Sequence, residues 1–63
     1  MSKQDFMDKM IALDTTFELA IKHNDETAAT EISKEIETLM SSAMDEFSET
    51  EMFEMALILD NVL

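Results

Sequence analysis

The sequence predicts an all-α protein, and three observations lead to that fold class. Glycine and proline are both absent from the 63 residues, so tight turns with positive φ and β-hairpins lack the residues they usually require. The abundant residues, among them glutamate, methionine, alanine and leucine, are mostly good helix formers. Apolar residues also recur at alternating spacings of three and four, which is typical of one helix face. We therefore predict a single domain, residues 1–63, folded as a small three-helix bundle: an antiparallel helical hairpin plus a third, mostly apolar C-terminal helix.

The first predicted helix covers about residues 3–23 and begins after Ser2, which suits the N-cap position. Its apolar seam is Phe6, Met10, Leu13, Phe17 and Ala20. Two pairs of opposite charge lie four residues apart, Asp5–Lys9 and Glu18–Lys22, and at that spacing we expect ion pairs along the helix surface.

The connection to the second helix is short. His23 places a basic group at the negative end of the first helix, and Asn24 suits the left-handed conformation that glycine usually takes there. Either Asn24 or Asp25 then serves as the N-cap of the next helix. Because the connection is short, the first two helices are expected to be antiparallel neighbours.

The second predicted helix covers about residues 26–47, and the third covers about residues 49–62. The apolar seam of the second is Ala29, Ile32, Ile36, Leu39, Ala43 and Phe47. Ser48 and Glu51 have the spacing of a capping box, and Phe47 and Met52 have the spacing of a hydrophobic staple, so two signals agree on where the third helix begins.

The third helix is the most apolar part of the chain. Nine of the twelve positions from Met52 to Leu63 are apolar. A helix that is apolar around most of its circumference must be covered on more than one side, and a small domain without cysteine cannot be stabilised by disulfides. We therefore expect self-association, most simply as a homodimer through Phe53, Leu57 and Leu63.

The charge balance excludes several classes of partner. Fifteen acidic residues against four lysines give a formal charge of −11. The chain has no arginine, and its single histidine is His23. Direct binding to nucleic acid or to an anionic membrane is excluded because both require lysine or arginine. Nothing in the sequence resembles a signal peptide or a membrane-spanning segment, so we expect a cytoplasmic protein.

Catalysis and metal binding also lack the residues they need. The chain has one histidine and no cysteine, tyrosine or arginine, and His23 lies in a connection, where it is expected to be exposed. The acidic stretch that begins at Asp45 has Thr50 and Ala56 where a calcium loop requires glycine and glutamate. We therefore predict a protein that is not an enzyme and that uses no metal or cofactor.

The remaining candidate site is an acidic and apolar stretch around the start of the third helix. Five carboxylates lie within residues 45–54, and methionine and phenylalanine concentrate there as well: Met40, Met44, Phe47, Met52, Phe53 and Met55. Rows of carboxylates on a helix present a field that resembles a phosphate backbone, so such a protein can occupy the basic, possibly nucleic-acid-binding surface of another protein. The predicted partner-binding residues are Asp45, Glu46, Glu49, Glu51, Met52, Phe53 and Glu54.

We therefore predict a small acidic protein-interaction module that inhibits or regulates a partner by docking on its basic surface. Two other interpretations of this stretch remain open. The carboxylates can be a solvated face that keeps a methionine-rich chain soluble. Alternatively, the chain is a structural subunit that pairs with itself or packs on a cognate helix through its apolar C-terminal helix. The two binding hypotheses differ in their expected salt dependence, since only the first rests on opposite charges.

Overall fold

The computed structural model describes residues 1–63 and contains three helices: α1 (Lys3–Lys22), α2 (Glu26–Glu46) and α3 (Glu49–Val62). There are no strands, and the predicted all-α three-helix bundle is confirmed. The first two helices each end one residue earlier than predicted. His23 and Phe47, which had been placed inside the helices, are their C-cap residues instead.

The α1–α2 connection closes as its residue types predict. Asn24 has a φ of 56° and is the one residue in the chain with positive φ. The amide of Asn24 donates to the Ile21 carbonyl and the amide of Asp25 donates to the Ala20 carbonyl, the paired hydrogen bonds of a Schellman motif. The Asp25 side chain then accepts a hydrogen bond from the Ala28 amide at 3.1 Å and caps α2.

The buried residues form two clusters along the bundle. The turn cluster, near the α1–α2 connection, consists of Ala20, Ala29 and Ile32. The junction cluster, near the α2–α3 connection, consists of Phe6, Ala43, Met55 and Leu59 and therefore draws on all three helices. The predicted seams of α1 and α2 contain every buried residue of the two helices, and their other positions are half-buried, because the seam residues share one face of each helix. Four further residues outside the seams are also half-buried: Met7, Ile11, Asp14 and Ala28.

The third helix is covered on one side only. Its buried residues are Met55 and Leu59, and the most extensive helix–helix contact in the molecule is between α1 and α2. Five large apolar side chains of the C-terminal segment are exposed: Phe53, Leu57, Ile58, Val62 and Leu63. The hairpin alone thus covers a minor part of the apolar surface of α3.

The ion pairs differ from those expected within α1. Neither Asp5–Lys9 nor Glu18–Lys22 forms an ion pair. The two that form join distant parts of the chain: the amino group of Met1 to Glu46 at 2.8 Å, and Lys3 to Glu51 at 3.1 Å. Tertiary packing places the start of α1 beside the acidic α2–α3 junction, so its nearest base, Lys3, pairs across the bundle rather than along the helix.

Candidate protein-binding surface

The α2–α3 junction is fixed by hydrogen bonds and aromatic packing. The Ser48 hydroxyl accepts from the Glu51 amide at 3.2 Å, and the Glu51 carboxylate accepts from the Ser48 amide at 3.1 Å. This reciprocal pair is the predicted capping box. The Phe47 ring meets the Phe6 ring edge-on with centroids 6.2 Å apart, which ties the junction to α1.

The five carboxylates of residues 45–54 divide into two groups. Glu46 and Glu51 are neutralised within the molecule by the Met1 amino group and by Lys3. Asp45, Glu49 and Glu54 are exposed and make no ion pair. The unpaired negative charge of residues 45–54 therefore belongs to these three, which we call the free carboxylates.

The contacts at the junction increase the acidity of Glu51. The hydrogen bond from the Ser48 amide, followed by that from Lys3, lowers the pKa of Glu51 below its ordinary value of 4.5. Both partners favour the charged form of the carboxyl. The junction itself therefore holds Glu51 as an anion. The sequence predicted Glu51 both as part of the capping box and as a partner-binding residue, and in the structure its carboxylate contacts Ser48 and Lys3 of its own chain.

An apolar groove lies between α2 and α3, and one of the free carboxylates, Glu49, lines it. Its outer part has a volume of about 400 Å³ and is lined by Met40, Met44, Phe47, Glu49 and Met52. Its inner part, about 200 Å³, is lined only by apolar residues: Phe6, Met10, Met40, Met52, Ala56 and Leu59. Because Met40 and Met52 line both parts, the two form one continuous depression, which we call the methionine groove.

A second apolar surface lies on the other side of α3. Phe53 is 66% exposed and Leu57 is 52% exposed. They are four residues apart and so lie one turn from each other on the helix, away from the face that buries Met55 and Leu59. We call this pair the outer ridge. Leu63 is also exposed, but it lies about 120° around the helix from Leu57 and is not part of the ridge.

The seven predicted partner-binding residues therefore fall in four places. Met52 and Glu49 line the methionine groove, Phe53 lies on the outer ridge, and Glu46 and Glu51 hold α1 against the junction. Asp45 and Glu54 are exposed and line neither part of the groove. The inner part of the groove includes Met10 and Ala56, which sequence reasoning had not assigned to any site. Ala56 lies one turn from Met52 on α3, and this spacing is the sequence feature that could have identified it as part of the same surface.

The rest of the molecule contains no buried polar side chain and no cluster of metal-binding side chains. The open depression beside the α1–α2 connection, about 400 Å³, is lined by Ala20, Ile21, Asn24, Asp25, Glu26, Ala29 and Thr30. It includes the caps of two helices but no buried polar side chain. No group of three or more histidine, aspartate or glutamate side chains is arranged to hold a metal ion. None of the three helices has both the length and the apolar character needed to cross a membrane.

No protein-family model, curated protein or solved structure matches this chain.

Proposed function

We propose that this chain is a non-enzymatic protein-interaction module that docks on a basic surface of another protein, as an inhibitor or regulator of that protein. One observation carries the proposal: three exposed carboxylates without cationic partners, Asp45, Glu49 and Glu54, lie within ten residues at the α2–α3 junction, and Glu49 lines the apolar groove there. Carboxylates steer a basic partner and set its orientation, while the groove supplies apolar area to bury. A basic nucleic-acid-binding surface has the complementary charge.

The test compares two variants of equal charge. In the first, the free carboxylates are neutralised (Asp45→Asn, Glu49→Gln, Glu54→Gln). In the control, three exposed carboxylates outside the junction, none of them in an ion pair, are neutralised (Glu18→Gln, Glu31→Gln, Glu35→Gln). Each immobilised protein is exposed to a lysate of the source cells. A protein retained by the wild type and by the control is then identified, purified and titrated by calorimetry.

We expect the first variant to bind the purified partner about tenfold more weakly or worse, since an exposed ion pair contributes about 0.2–1 kcal/mol and three are lost. The difference should shrink as salt is added, because exposed charges are screened. Equal affinity of the two variants for the partner, or a partner without a basic surface, would contradict the proposal.

The outer ridge supports a second candidate function, that of a subunit that pairs with itself. Phe53 and Leu57 are exposed one turn apart, and two copies can pack these ridges against each other around a two-fold axis. Each copy carries a formal charge of −11, so repulsion opposes the pairing and added salt should strengthen it. This dependence has the opposite sign to that of binding a basic partner.

Light scattering over a range of protein and salt concentrations tests the second candidate. A mass that doubles as salt is added, and that returns to the monomer value in the variant Phe53→Ser, Leu57→Ser, would support it. A monomer under every condition would eliminate it and leave the basic partner as the only proposed function.

A further inference from the structure

The methionine groove has the shape and chemistry of a site for one kind of partner segment. We infer that it receives a basic amphipathic helix of the partner, with apolar side chains pointing into the groove and lysine or arginine on the flanks. This inference rests on the proposed function, because it names the segment of the basic partner that docks.

The first step of the argument concerns the conformation of the occupant. All of this chain except its caps and connections is helical, so it offers no sheet edge to which a strand can add. A polyproline segment requires an aromatic-lined groove, and here the outer part has the single aromatic residue Phe47 and the inner part has only Phe6. Among the common modes of peptide recognition, a helix in a groove is the one that remains.

The second step concerns size. The groove follows α3 from Glu49 to Leu59, a distance of about 15 Å at the helical rise of 1.5 Å per residue. A partner helix of about three turns fills that length and places three apolar anchors in it. Methionine side chains suit such a site because they are flexible and adapt to different apolar shapes.

The third step concerns charge. Glu49 is the only charged residue that lines the groove, and no lysine lines either part of it. A second copy of this chain is a poor occupant because its one mostly apolar helix, α3, carries Glu49, Glu51, Glu54 and Asp60 and no base. Like charges would then face each other across the contact, whereas the lysine or arginine of a basic helix meets the carboxylate of Glu49.

A pair of variants on adjacent positions of α3 tests the inference. Ala56 is exposed and lines the inner groove, so Ala56→Phe fills the groove from an exposed position. Leu57→Phe adds an aromatic ring one residue away, on the outer ridge, and is the matched control. Met44→Ala provides a second groove variant, because Met44 is 68% exposed and its truncation leaves the core intact. Circular dichroism verifies that all three fold.

The probe is a labelled peptide of leucine and lysine, about 14 residues long, with its leucines on one helical face. A second peptide contains the same residues in strict alternation, which favours a strand. Binding is measured by fluorescence anisotropy, and the methionine methyl groups are observed by NMR. We expect the helical peptide to bind and to shift the methyl signals of Met40, Met44 and Met52. Ala56→Phe should weaken this binding at least tenfold, Met44→Ala should weaken it severalfold, and Leu57→Phe should leave it unchanged.

Three outcomes would overturn the inference: equal binding of the alternating peptide, equal binding to Ala56→Phe and to the wild type, or a dimer of the wild type that Ala56→Phe dissociates without any peptide. Failure of the proposed function is distinguished by the partner isolated from the lysate. If that partner requires the free carboxylates but tolerates Ala56→Phe, the module still binds a basic protein and the groove is not where it docks.

Discussion

The α1–α2 hairpin and α3 differ in composition, and the more apolar of the two is the less covered. Each helix of the hairpin has one apolar and one polar face, and the seam on its apolar face is buried or half-buried along the bundle. In α3, nine of twelve positions from Met52 onward are apolar, yet the buried residues of the helix are Met55 and Leu59. Apolar content thus does not indicate how much of a helix is buried in its own chain, and the excess in α3 forms the groove and the ridge.

The largest effect is expected where the two regions meet. Phe6 is 2% exposed in the junction cluster, whereas Phe17 is half-buried beside the turn cluster. Phe6→Ala should lose about 3–5 kcal/mol of unfolding free energy, because it leaves a cavity among all three helices. Phe17→Ala should lose clearly less. Urea unfolding followed by circular dichroism measures both, and a larger loss for Phe17→Ala would mean that the hairpin holds itself together without α3.

A smaller effect is expected from the cap that begins α3. Ser48→Ala removes the acceptor for the Glu51 amide and should cost about 1 kcal/mol. Amide hydrogen exchange should accelerate in α3 more than in the hairpin, since α3 has fewer tertiary contacts to replace the cap. Ser2→Ala, at the corresponding position of α1, is the control. Uniform acceleration over all three helices would show that α3 does not open separately.

The smallest effect is expected in the pH dependence of folding stability, through the carboxyl of Glu51, which pairs with Lys3. Because the folded pKa of Glu51 is lowered below 4.5, the stabilisation from this carboxyl is present above that value and is lost as the pH falls through the folded pKa. NMR titration of the Glu51 carboxyl carbon should give a pKa below 4.5. Lys3→Met should raise that pKa only in part, because the hydrogen bond from the Ser48 amide remains. A titration midpoint of 4.5 or above for Glu51 in the wild type would contradict its hydrogen bonds with the Ser48 amide and with Lys3.

Local signals allowed much of the fold to be predicted. Asn24 and the Ser48–Glu51 pair each determine their connection through hydrogen bonds to nearby backbone, so residue type and spacing suffice. The seams of α1 and α2 were predictable for a similar reason, since their polar residues leave one apolar face that can be buried.

The candidate site was less accessible to sequence reasoning. With nine of twelve positions apolar, α3 has only a narrow polar stripe, formed by Glu54 and Asn61 with Asp60 beside it, and so narrow a stripe does not show which of the apolar residues stay exposed. The pairing of Lys3 with Glu51 depends on tertiary structure and removes one carboxylate from the predicted docking set. The groove combines residues of α2 and α3 with Phe6 and Met10 of α1, so it could be recognised only once the three helices were placed.

The central claim is that α3 is buried on one face and leaves its other apolar face to a partner. Urea unfolding of Met55→Ala and Phe53→Ala, two residues apart on α3 and measured where the chain is monomeric, tests it most directly. Met55 is fully buried and Phe53 is not. The account predicts a loss of about 2–5 kcal/mol for Met55→Ala and a change within about 0.5 kcal/mol for Phe53→Ala. Equal losses, or a larger loss for Phe53→Ala, would contradict it.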